Sequence, residues 1–275
     1  MGVFYQTIPP SLQHWILTQK CFWVATAPLS NQGHINVSPK GGPYFGVIDE
    51  KTFWYQDLSG SGSETIAHLH EPGNGRIVIM LNAFDGPPKI VRLWGKGRVL
   101  ERETSEYDTF ISEQNIETLP GTRSIIIVDI HQVGSSCGFS VPYYDFKDFR
   151  PILNDFYEKK HKKFLAGDKK ESMDRYWAYK NAWSIDGLPG MKRGLEVGRR
   201  DNVEPLKKMV GPLAPKNGAR SGIDGFTLEQ VVIIFIVAFI AGVMAATLSS
   251  DVFRNLLALI PPQQRQAIWL PRSMK

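Results

Sequence analysis

The sequence predicts a mainly-β domain with helices, a small barrel followed by a helical extension, a linker and one membrane-spanning helix. Three observations predict it. Short runs of strand periodicity, separated by Gly, Pro, Ser and Asn turns, recur through the first 150 residues. Helical periodicity takes over at residues 151–183. Then an uncharged run extends from Gln230 to Ser250, with Val231 to Leu248 nearly all apolar or small.

The elements follow in order. Ser11 to Gln19 reads as an entry helix, with Leu12, Trp15 and Ile16 on one face. Lys20 to Ala27 is a strand. Gly33 to Ser38 is a second, in which His34, Asn36 and Ser38 alternate with Ile35 and Val37. This strand is expected to break at Pro39 and deliver Lys40 beside Gly41 and Gly42. Lys40 reads either as a solvated hairpin lysine or as an anion contact. Phe45 to Ile48 and Thr52 to Gln56 form the next hairpin.

The loop from Asp57 to Thr65 leads into a short helix. Its backbone N–H groups and the hydroxyls of Ser59, Ser61, Ser63 and Thr65 suit a phosphate. It equally suits a flexible connector with Ser63 as an N-cap. Arg76 to Leu81 is a buried strand. Lys89 to Leu100 alternates, with Arg92 and Trp94 on one face, and Gly95 and Gly97 permit sharp coiling. Arg92 taken alone also reads as a solvated edge charge. Glu103 to Gln114 is an amphipathic helix, and Arg123 to Val133 a further strand. Cys137, just beyond it, is expected to be a small packed residue with no basic neighbour to activate it.

Helices are expected from 151 and over Glu171 to Ala182, with Asp186-Gly187 as a turn. Residues 191–226 read as a flexible basic linker. The divisions are therefore 1–150, barrel; 151–190, helical extension; 191–226, linker; 227–250, transmembrane helix; 251–275, short basic tail.

Charge narrows the function. Residues 1–188 carry 20 Lys/Arg against 21 Asp/Glu, whereas residues 189–226 carry 8 against 4. The barrel is thus not a nucleic-acid binder, and the basic zone suits the flank of a membrane segment. The two cysteines and six scattered histidines form no metal spacing and no disulfide framework. The N-terminal ten residues lack a signal-peptide pattern. The expected topology is a single-pass, tail-anchored protein with the barrel facing the cytosol.

Val24-Ala25-Thr26-Ala27, then Asn36-Val37-Ser38-Pro39-Lys40-Gly41, then Arg92-Leu93-Trp94-Gly95-Lys96-Gly97, resemble the pyridoxamine 5′-phosphate oxidase-like family. Ser136-Cys137-Gly138-Phe139-Ser140-Val141-Pro142 and Lys180-Asn181 with Ser184-Ile185-Asp186-Gly187-Leu188-Pro189-Gly190 resemble its eukaryotic, fungal-type branch. The resemblance implies an FMN-binding split β-barrel, a homodimer, and an FMN-dependent oxidoreductase of unknown small-molecule substrate. FMN contacts are expected from Ser38, Lys40, Ser59, Ser61, Ser63, Thr65 and Arg92. The family often places Arg or Lys in the 57–65 loop, and this chain has neither there. It also lacks any Arg-x-His pair, which speaks against vitamin B6 oxidation. The alternative is a non-catalytic FMN- or haem-binding module that acts through a partner.

Overall fold

The computed structural model describes residues 2–212, 214, 235–240, 242 and 244. It divides into two units, 1–222 and 223–275. In the first unit eight strands form one antiparallel, half-barrel sheet: β1 (Val3–Tyr5), β2 (Cys21–Thr26), β3 (Asn36–Gly41), β4 (Phe45–Asp49), β5 (Thr52–Leu58), β6 (Arg76–Asn82), β7 (Ile90–Glu101) and β8 (Thr122–Ser136). The strand order is β3-β2-β6-β7-β8-β5-β4, with β1 added on β8. Among the described residues six α-helices accompany it: α1 (Pro10–Thr18), α2 (Glu64–His70), α3 (Ser105–Glu113), α4 (Ile152–Leu165), α5 (Met173–Lys180) and α6 (Lys192–Arg200).

The core is built by strand alternation. Phe22 and Val24 of β2, Phe53 and Tyr55 of β5, Ile79 and Leu81 of β6, Leu93 of β7 and Ile126 and Val128 of β8 all turn inward and are buried. α1 adds Leu12 and Ile16, and the extension adds Trp177 and Met191. The long strands β7 and β8 bend where the register slips between Trp94 and Gly95, so that His131 has no register partner on β7. A Cβ on Gly95 would lie 2.6 Å from the Asp129 carbonyl oxygen, so the bend requires glycine.

Four sequence expectations change. The strand placed at 33–38 runs from Asn36 to Gly41 and passes through Pro39. β3 is an edge strand, where proline costs no ladder hydrogen bond on its outer side. Lys40 is therefore a strand residue, not a turn residue. β1 was invisible because it is three residues long and exposed. Residues within the expected linker fold: α6 buries Gly194 and Val197, and its N-terminal N–H groups at Lys192 and Arg193 donate to the Glu101 carboxylate at 2.8 and 3.1 Å. Its pattern hid behind two glycines and four basic side chains. Cys137 is exposed and lies just past β8, not packed within it.

Among the described residues, no helix is long and apolar enough to cross a membrane. Most of the run from Gln230 to Ser250 lies outside the described residues; 235–240, 242 and 244 are helical and exposed.

Candidate functional site

One end of the half-barrel is polar. β3 turns Asn36, Ser38 and Lys40 to the same side, since Ser38 and Lys40 pair with the buried Val24 and Phe22. Lys40 Nζ donates to Asp57 Oδ1 at 3.0 Å. Asp57 follows Phe53 and Tyr55 on the inward phase of β5 and is fully buried. Its second oxygen accepts from Arg123 Nε at 2.7 Å, and Arg123 Nη1 also donates to the Gly62 carbonyl at 2.6 Å. Burial opposes ionisation of Asp57, but Arg123 and then Lys40 overcome it and hold the carboxyl at about 2. The Tyr55 hydroxyl, on the same inward phase, has no hydrogen-bond partner among the described residues, and burial raises its pKa well above the ordinary tyrosine value.

Beside this charged trio runs a neutral chain. Ser38 Oγ donates to Asn36 Oδ1 at 3.2 Å, and Asn36 Nδ2 donates to Thr65 Oγ1 at 3.0 Å and Thr26 Oγ1 at 3.3 Å. Thr26 Oγ1 meets His68 Nδ1 at 2.9 Å. Burial pulls the His68 pKa down, so the ring is neutral near pH 7, and its buried Nε2 has no hydrogen-bond partner among the described residues. α2 carries both Thr65 and His68, three residues apart on one face.

The loop between β5 and α2 is wrapped by the extension. Ser59 Oγ accepts from Trp177 Nε1 at 2.9 Å, and the Ser59 carbonyl accepts from the Tyr157 hydroxyl at 2.8 Å. Asn181 Nδ2 donates to the carbonyls of Gly60 and Gly62 at 2.8 and 3.3 Å. Ser63 Oγ donates to the Trp183 carbonyl rather than capping α2. Lys208 Nζ reaches Ser63 Oγ at 3.2 Å and Glu64 at 3.6 Å; burial pulls its pKa down to about 8 against the opposing carboxylate.

The Lys180–Gly190 motif thereby acquires a structural role. Asn181 and Trp183 hold the loop, the Ile185 N–H donates to Glu64 at 3.1 Å, and Asp186 bonds the His34 ring at 2.6 Å and its backbone N–H at 2.8 Å. Gly190 approaches Ser63 and the Asn181 carbonyl too closely to accommodate a Cβ.

The expected site residues thus fall into three groups. Ser38 and Thr65 are linked through Asn36, and Lys40 lies two residues along the same face of β3. Ser59 and Ser63 are tied to the extension, and Ser61 is exposed in the same loop. Arg92 stands apart. It shares the outer face with Pro39, Trp23, Met80 and Phe4, three strands and about 14 Å from β3. Sequence reasoning missed Asp57, Arg123, Asn36, His68 and Lys208. Asp57 carried a signal: a carboxylate on the buried phase of a strand needs partners.

The geometry defines a small antiparallel half-barrel whose polar end is clasped by a C-terminal helical extension. No family model matches the chain. A pyridoxamine 5′-phosphate oxidase family protein of Aspergillus flavus, ustO, is 38% identical over 205 residues, covering 70% of this chain and 78% of that protein. The chain belongs to the pyridoxamine 5′-phosphate oxidase family. Solved structures align loosely. HupZ of group A Streptococcus gives a TM-score of 0.36 at 18% identity, over 46% of this chain and 92% of that one. An FAD-binding protein of Mycobacterium smegmatis gives 0.33 at 15% identity, over 48% and 97%. Neither alignment assigns a residue here.

Proposed function

We propose that the chain is an FMN-binding, flavin-dependent oxidoreductase of unknown substrate, of the family's fungal-type branch, acting as a homodimer tethered to a membrane. The observation that carries the cofactor reading is the row Asn36, Ser38 and Lys40 on an edge strand, facing Thr65. Thr65 accepts from Asn36, so its own hydroxyl proton is available to an acceptor. Lys40 spends one of its three N–H donors on Asp57, and its side chain keeps 22% of its exposure. These donors fit a phosphate monoester at this end. The Ser59–Ser63 loop fits it less well, because the extension already engages it.

When bound, FMN would supply hydride or electron transfer. The chain would hold the phosphate with Lys40 and Thr65, joined by Ser38 once its hydroxyl turns from Asn36 to the ligand, while the buried Asp57–Arg123 pair keeps Lys40 in place. The extension would shield this end from water. Arg92 and Trp94 face outward beside Phe4, where a second chain would meet them. The tether is the uncharged run from Gln230 to Ser250, with the barrel on the cytosolic side.

Titration of the full chain with FMN and with riboflavin tests the cofactor reading. FMN should bind at least about tenfold more tightly, the worth of one or two charge-assisted contacts. Equal affinities would remove the phosphate site. Absence of NAD(P)H oxidation by the FMN-loaded protein with any added acceptor would favour the second reading, a non-catalytic flavin or haem carrier.

A further inference from the structure

Beyond α6 the chain turns back across α5. The Val203 N–H donates to the Gly198 carbonyl at 3.0 Å, and the Leu206 N–H donates to the Tyr179 carbonyl at 2.8 Å. Between this returning segment and the two helices lies a cavity of about 800 Å³. Ala182, Trp183, Ile185, Leu195 and Leu206 give it an apolar lining, and Lys208 is part of its wall. Its size and lining suit a small organic ligand. Ser38, Lys40 and Thr65, the proposed FMN contacts, do not line it.

Lys208 Nζ ends against Ser63 Oγ at 3.2 Å and Glu64 Oε1 at 3.6 Å, and its side chain is 12% exposed. Both partners are bonded to the cavity wall: Ser63 Oγ donates to the Trp183 carbonyl, and Glu64 Oε1 accepts from the Ile185 N–H. The chemistry of the wall selects the ligand. Glu64 already opposes the ammonium charge, so an anionic ligand meets no uncompensated charge beside Lys208. The other charged wall residues, Arg199, Glu204 and Lys207, are exposed, so the enclosed part suits a neutral, apolar body. Burial pulls the Lys208 amine down to about 8. About one amine in ten is then neutral and nucleophilic at pH 7.

The structure assigns to this cavity a site for a neutral, apolar aldehyde held as an imine on Lys208. The amine nitrogen adds to the carbonyl carbon. The two amine protons and the carbonyl oxygen then leave as water while the C=N bond forms, with Glu64 carrying protons from nitrogen to oxygen. No electrons are exchanged, and water reverses the step. The site goes beyond flavin chemistry and stands independently of it.

The test is reductive trapping on the full chain at pH 7 with benzaldehyde and cyanoborohydride, read by peptide mass spectrometry. The benzyl mark should form on Lys208 at least about tenfold faster than on exposed Lys51 or Lys159, because more of its amine is neutral. The Lys208 rate should saturate with benzaldehyde, as a bound complex requires. Gly198 lines the cavity, and a Cβ there meets nothing nearer than 3.8 Å, so Gly198→Leu fills space without a backbone clash. It should slow the Lys208 mark by about tenfold and abolish saturation. Marks spread evenly over the lysines would overturn the inference. So would a Lys208 rate that rises linearly with benzaldehyde, which shows a reactive amine without a site, or an unchanged rate in folded Gly198→Leu. Should that variant not fold, saturation in the wild-type chain decides alone.

Discussion

Asp57→Asn is the perturbation that probes the polar end most sharply. Asp57 is fully buried between Arg123, itself 4% exposed, and Lys40. Asparagine keeps the shape and can still accept from Arg123 Nε, but it removes the one negative charge between two cations. Breaking a buried ion pair in this way costs about 3–5 kcal/mol. The pH dependence follows from the sign of the shift. The carboxyl is held at about 2 in the folded chain against 3.8 for the free group. That difference is worth about 2 kcal/mol, fully present above the unfolded value and lost as pH falls through the folded one. The wild-type chain should therefore lose stability between about pH 4 and pH 2 through this group. Urea unfolding followed by tryptophan fluorescence, repeated across pH, reads both effects. Asp57→Asn should be destabilised by at least about 3 kcal/mol at pH 7 and show a shallower acid limb. A cost below about 1 kcal/mol with an unchanged acid limb would refute the claim that this carboxylate balances buried charge.

Other outcomes follow from the same contacts. Lys40→Ala should weaken FMN by about tenfold with riboflavin much less affected, read by fluorescence titration; equal losses would place the effect on the fold. Trp177→Ala should cost about 3–5 kcal/mol and expose the 57–65 loop to protease, because Trp177 is 1% exposed and bonds Ser59. Gly190→Ala should destabilise by about 1–3 kcal/mol in the same unfolding assay, since its Cβ meets Ser63. With a thiol reagent under native conditions, exposed Cys137 should react quickly. Cys21 should react slowly, because it is half-buried and burial pushes its thiol up.

The strands were legible wherever apolar alternation was strong. β2, β5, β6, β7 and β8 emerge from their sequence pattern to within about three residues. Gly95 was readable as a bend, and the register slip sits there. β1 and the course of β3 through Pro39 were not readable, since edge strands owe their position to neighbours rather than to their own pattern. α6 was hidden for a similar reason: its two buried positions, Gly194 and Val197, make sense only against α5 and the Glu101 carboxylate. At the site, Lys40 could be nominated from its place beside Pro39 and two glycines and Thr65 from the loop that opens a helix, whereas Ser38 entered through the family resemblance. Their partners could not be. Asp57 finds Arg123 across 66 positions, and Ser63 finds Lys208 across 145. Only the closure of the half-barrel and the return of the extension bring those groups together.

A flavin mononucleotide at the polar end of the half-barrel is the central claim. The most direct measurement is the absorbance spectrum of the full chain purified without added cofactor and again after incubation with FMN and removal of the excess. Flavin bands should be retained at about one FMN per chain, and lost when Lys40→Ala is combined with Thr65→Val in a chain that remains folded. A folded wild-type chain that stays colourless after incubation, or one that retains a haem band in place of flavin, would contradict it.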